Sequence, residues 1–105
     1  QTETIQVSIA ANNSGSGNVY VIDGVQNKSL TLKIGTTYTF THSSSHPFRF
    51  SNTSNGTHGG GAEYMNGVTT SSGSTVIEVT STTSSTLYYY CSIHSGMGGT
   101  ITVTE

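Results

Sequence analysis

Short runs of alternating apolar and polar residues follow one another along the chain, and none settles into the period of a long amphipathic helix. Leu30, Leu32 and Ile34 alternate with Thr31 and Lys33, which puts the apolar set on the core side of a strand. Ile101 and Val103 repeat the pattern near the C-terminus, and in the run before Cys91 it sets Leu87, Tyr89 and Cys91 inward, opposite Tyr88 and Tyr90. Clusters of β-branched and aromatic residues predict strands over 4–10, 19–22, 29–34, 37–41, 48–51, 75–80, 86–91 and 100–104. Turn formers separate them at 12–17, Asp23-Gly24, Gly35 and 71–74. Many short, regularly punctuated strands indicate an all-β sandwich or barrel. The longest irregular stretch, 52–73, is rich in Gly and Ser and has room for a short helix at 63–66. A loop of that length in a small domain is usually functional or mobile.

Composition narrows the function classes. At 105 residues the chain is expected to form one domain over 1–105. Only 8% of residues are charged and the net charge is -2, with Lys28, Lys33 and Arg49 the only basic residues. That balance offers no footprint for a phosphate backbone, so no nucleic-acid partner is expected. No apolar run approaches the length of a membrane-spanning helix, and no membrane insertion is expected. The first residue, Gln1, is read as the start of a processed or excised chain, compatible with export. With a single cysteine, no internal disulfide forms, and Cys91 is a buried thiol, a reactive thiol or a metal ligand.

Cys91-Ser92-Ile93-His94-Ser95-Gly96-Met97 decides among these. It places a thiolate, an imidazole and a thioether in one loop after a strongly β-prone run. Gly96, Gly98 and Gly99 let the chain turn tightly enough for all three donors to converge. Two imidazoles and a thiolate in a trigonal plane, with a weak axial Met sulfur, suit a copper ion that changes oxidation state. Zinc is the rival, but structural zinc sites draw on Cys and His, and Met97 argues against it. A lone Cys or Met is otherwise read as a core filler.

The remaining imidazole comes from His42, His46 or His58. His46 is favoured, because it stands just before Phe48-Arg49-Phe50, where a strand holds it rigidly. His58, in the Gly-rich loop, is second, as an outer lid or a further copper contact. His42 is read as a solvent-exposed side chain. Asn12, Asn27, Asn52 and Asn55 each open an N-x-Ser/Thr triplet; in so hydroxyl-rich a chain such triplets arise by chance and no role is assigned to them.

These residues carry a family resemblance. The run Tyr89-Tyr90-Cys91-Ser92-Ile93-His94 resembles plastocyanin, and the two-residue gap between His94 and Met97 is similar to the short loop of amicyanin, both cupredoxins. Gly35-Thr36-Thr37-Tyr38-Thr39-Phe40, then His46, then the terminal strand 99–103 follow in cupredoxin order. The patterns around Asp23-Gly24, 46–51, 57–60 and 88–99 also resemble small cupredoxin-like domains of marine microbial and phage sequences.

The resemblance implies a Greek-key sandwich of about eight strands with one copper ion at one end, held as a type 1 blue site by His46, Cys91, His94 and Met97. It implies a one-electron carrier and not an enzyme, monomeric and exported to a periplasmic, thylakoid-lumenal or extracellular space. Protein redox partners would meet an apolar patch around His94, with Pro47, Gly96 and Met97 beside it, and Tyr90 matches an aromatic at a second surface route. Two other readings keep the copper: a structural or decorating module of a larger secreted or virion protein, and a site reactive toward small molecules.

One departure has a measurable consequence. Plastocyanin-like proteins commonly follow the first histidine with Asn, whose backbone N–H reaches the cysteine sulfur; Pro47 has no N–H to give. Hydrogen bonds to the sulfur tune the potential of such centres. Pro47→Ala is therefore expected to raise the reduction potential measured by voltammetry, and an unchanged or lower potential would count against this reading.

Overall fold

The computed structural model describes residues 2–12 and 17–105, and part of the turn expected at 12–17 lies outside them. Among the described residues eleven strand segments form: β1 (Thr2–Gln6), β2 (Ser8–Ala11), β3 (Asn18–Ile22), β4 (Val25–Gln26), β5 (Leu30–Lys33), β6 (Thr37–Thr41), β7 (Phe48–Ser51), β8 (Val68–Thr70), β9 (Ser74–Glu78), β10 (Thr86–Cys91) and β11 (Gly99–Thr104). A single 3-10 turn, η1 (Gly56–Gly59), is the helical element among the described residues. Among the described residues no helix is long and apolar enough to cross a membrane.

Two four-stranded sheets, ordered β1-β6-β9-β8 and β5-β11-β10-β7, make an all-β sandwich, and β2-β3-β4 forms a third, smaller sheet. Consecutive strands β5 and β6, β7 and β8, and β9 and β10 lie in different sheets, as Greek-key crossing requires. The pairs β1·β6 and β5·β11 are parallel; the other ladders are antiparallel.

Period-two alternation builds the core. Leu30 and Leu32 of β5, Tyr38 and Phe40 of β6, Phe48 and Phe50 of β7, and Leu87 and Tyr89 of β10 are buried between the sheets. Phe40 stacks on Phe48 at 4.9 Å between ring centroids, and Phe48 on Tyr89 at 5.1 Å, an offset aromatic column through the sandwich. Thr75 crosses the same gap, its buried hydroxyl donating to the Phe48 carbonyl at 2.7 Å and tying β9 to β7.

Several expectations are corrected. The strand expected over 4–10 divides at Val7, which is buried and donates its N–H to Thr41 at 2.8 Å; β1 pairs with β6, whereas β2 turns to β3. Ile34 lies beyond the end of β5, at the turn into Gly35, and is exposed instead of inward. No helix forms at 63–66: Glu63 bridges Ser51, and β8 occupies 68–70 of the irregular stretch. Tyr90, placed by alternation on the outer face, is 1% exposed because η1 covers it.

Phe40→Ala is expected to cost about 3–5 kcal/mol, the range for emptying a buried aromatic site. Ile34→Ala should stay within about 0.5 kcal/mol, as surface substitutions do. Urea unfolding followed by tyrosine fluorescence reads both.

Candidate metal centre

Cys91 ends β10, directly across the ladder from Phe48, the first residue of β7. The ladder runs one step further, with the Ser92 N–H donating to the Pro47 carbonyl at 3.2 Å. His46 therefore arrives beside Cys91 as the chain enters β7. His94 follows Cys91-Ser92-Ile93 and stands just ahead of a turn in which Gly96 takes a φ of 78°.

The result is a compact triad. The Cys91 Sγ lies 4.0 Å from His46 Nδ1 and 3.7 Å from His94 Nδ1, and one donor atom from each residue falls within 4.8 Å of the others. An ion bonded at roughly 2.0–2.3 Å to such donors separates them by roughly 3.5–4 Å, the spacing of both imidazole nitrogens from the Cys91 sulfur. The imidazole rings tilt against each other at 4.8 Å between centroids. Met97 is 1% exposed and lines the same open pocket of about 760 Å³ as His46, Ile93 and His94. Burial, and after it the charge of His94, lowers the His46 pKa below the ordinary imidazole value. That favours the neutral ring a metal binds.

The other two histidines lie elsewhere. His42 is not a free surface side chain: its ring stacks on Phe48, and Nε2 lies 3.2 Å from the Thr75 hydroxyl. His58 contributes no atom to the triad; its Nε2 sits 2.8 Å from the Cys91 carbonyl oxygen.

Residues without a signal in the sequence hold the donors in place. Tyr20, fully buried in β3, donates its hydroxyl to the His46 carbonyl at 2.7 Å and its N–H to the Met97 carbonyl at 3.0 Å, joining the two ligand-bearing segments. Burial raises the Tyr20 pKa far above the ordinary phenol value, and the charge and hydrogen bond of Cys91 add to this against a smaller opposing effect of Arg49. The phenol is thus a permanent donor. Asn27 donates from Nδ2 to the Gly98 carbonyl at 2.7 Å and to Gly96 at 3.4 Å. The loop can pass this close because residue 98 is glycine: a Cβ there would run into the Tyr89 carbonyl.

No protein-family model matches the sequence, and no curated protein matches it. Solved structures do. The chain is similar to rusticyanin, described as a copper protein, with a TM-score of 0.53 and 19% identity over 95% of this chain and 77% of that one. Rusticyanin from Thiobacillus ferrooxidans matches at 0.52 and 20% over the same shares, and reduced rusticyanin at 0.50 and 20% over 95% and 79%. The fold is cupredoxin-like. The likeness establishes that architecture, and the chemistry of the site rests on the donors themselves.

Tyr20→Phe keeps the ring packed on Phe48 but removes the bond to the His46 carbonyl. The expected loss is about 1–3 kcal/mol, the cost of leaving a buried acceptor unpaired, with weaker copper binding in the same variant. Unfolding curves with and without metal, together with a competition titration, measure the two effects.

Proposed function

We propose that this chain is a type 1 copper protein that carries single electrons between protein partners and catalyses no reaction of its own. The observation that supports it is the convergence of His46, Cys91 and His94, with Met97 lining the same pocket. A thiolate, two imidazoles and a thioether form the donor set suited to copper. Bound copper supplies one redox centre that alternates between its two common oxidation states.

The chain's own residues supply the rest. Cys91 and Met97 are buried, which keeps the sulfur donors away from water, while His94 and Ile93 are exposed. An exposed ligand beside an apolar residue gives a partner a short path to the buried sulfur, and transient redox encounters use small surfaces of this kind. Tyr20, Asn27 and the β7·β10 ladder hold the donors in one arrangement whatever the charge on the ion. We place the carrier outside the cytoplasm, in keeping with the resemblance to exported copper proteins. A decorating module would share the metal and differ in its electron-exchange rate.

Titration with Cu(II) is expected to saturate at one equivalent and give an intense visible charge-transfer band that disappears on reduction and returns on oxidation. Cys91→Ser should lose that band altogether. A colourless adduct, or a serine variant that keeps its colour, would refute the assignment; slow self-exchange in a coloured protein would favour the decorating module.

A further inference from the structure

The irregular stretch between β7 and β8 makes an unexpected contact with the ligand loop. Asn55, in the left-handed conformation with φ 64°, accepts the Gly96 N–H on its side-chain oxygen at 2.8 Å. Three residues later the His58 ring reaches the Cys91 carbonyl at 2.8 Å. A carbonyl only accepts, so Nε2 carries the proton in this bond. The two contacts grip the loop 91–96 at both ends from one turn.

The turn is seated firmly enough to act on what it holds. Gly56, between the two gripping residues, is buried against Tyr90, and a Cβ there would penetrate the Tyr90 ring. The His58 ring meets Tyr90 edge-on at 6.3 Å. Neither Asn55 nor His58 belongs to the hydrophobic core, and their bonds go to the backbone of the loop that bears Cys91, His94 and Met97.

We propose that Asn55 and His58 are positioning residues of the copper centre: η1 latches the ligand loop so that its donors keep one geometry. This rests on the copper reading above. Pro47 removes one backbone donor near the sulfur, and the latch restrains the loop through the Cys91 carbonyl and the Gly96 amide instead. Partners of this outer kind typically change metal affinity by roughly 10–100-fold when lost.

The test compares Asn55→Ala and His58→Ala with the conservative variants Asn55→Asp, which retains an acceptor and tolerates the left-handed backbone, and His58→Gln, which retains a donor. In copper-loaded protein the alanine variants are expected to bind roughly 10-fold or more weakly and to shift the visible band and the copper hyperfine splitting. The conservative variants should recover both. In copper-free protein, Gly96 amide exchange should accelerate in Asn55→Ala, a readout that needs no metal. In unsubstituted protein, copper loading should slow exchange at residues 55–58 and 96, which covers the case of a variant that fails to fold.

Alanine variants matching the unsubstituted protein in affinity, spectrum and Gly96 exchange would overturn the proposal. So would conservative variants no better than alanine, or exchange at η1 indifferent to copper. Failure of the copper reading itself is separable: the unsubstituted protein would then lack the band, while accelerated Gly96 exchange in copper-free Asn55→Ala would still report the grip.

Discussion

Cys91 faces Phe48 across the ladder between β10 and β7, and this register determines where every donor lies. Side chains alternate along a strand, so a slip of one residue would carry Cys91 to the other face of its sheet and separate it from His46. Aromatic packing forbids the slip. Phe48, Phe50 and Tyr89 are all fully buried on the inner side, and shifting the register would move either β7 or β10 out of contact with the column they share. The geometry of the centre is therefore an extension of the sheet, stabilised by burial of rings that touch no metal.

The centre also inherits an asymmetry from its place at the end of the sandwich. Cys91 and Met97 lie on the buried side, where the core excludes water, and His94 comes from a loop that the core does not cover. Loops at such ends carry function because a rigid scaffold holds them. Here the holding is explicit: the Tyr20 N–H and the Asn27 side chain reach the loop from β3 and the turn after β4, Asn55 at the start of η1 and His58 within it reach it from the other side, and the Tyr20 hydroxyl holds His46. Their bonds go to main-chain atoms, which leaves the ligand side chains free for the ion.

What was legible in the sequence followed local rules. The strands at 37–41, 48–51 and 86–91 have the boundaries that clusters of β-branched and aromatic residues gave them, and the spacing of Cys91 and His94 announced two donors that converge. His46 was found because it precedes a strand. Partner changes were illegible: no local feature says that β1 and β2 pair with different sheets, or that Val7 is the hinge between them. Burial that depends on a distant segment was also hidden. Tyr90 looks like an outward residue until η1 is laid on it, and His42 like a surface one until Phe48 and Thr75 are beside it. Asn27 and Asn55 read only as chance triplets, since their work is done on backbone atoms about seventy and forty positions away.

Pro47 shows how sequence and fold exchange roles at one position. Its ring fixes φ and removes the N–H, yet the ladder continues through its carbonyl to Ser92. The backbone therefore keeps its register while giving nothing to the sulfur. The Tyr20 hydroxyl, on a strand of the third sheet, donates instead to the His46 carbonyl just ahead of that proline. The segment that carries His46 into β7 is thus held on one side by the ladder to Ser92 and on the other by the Tyr20 hydroxyl, so its path is fixed without an N–H at residue 47.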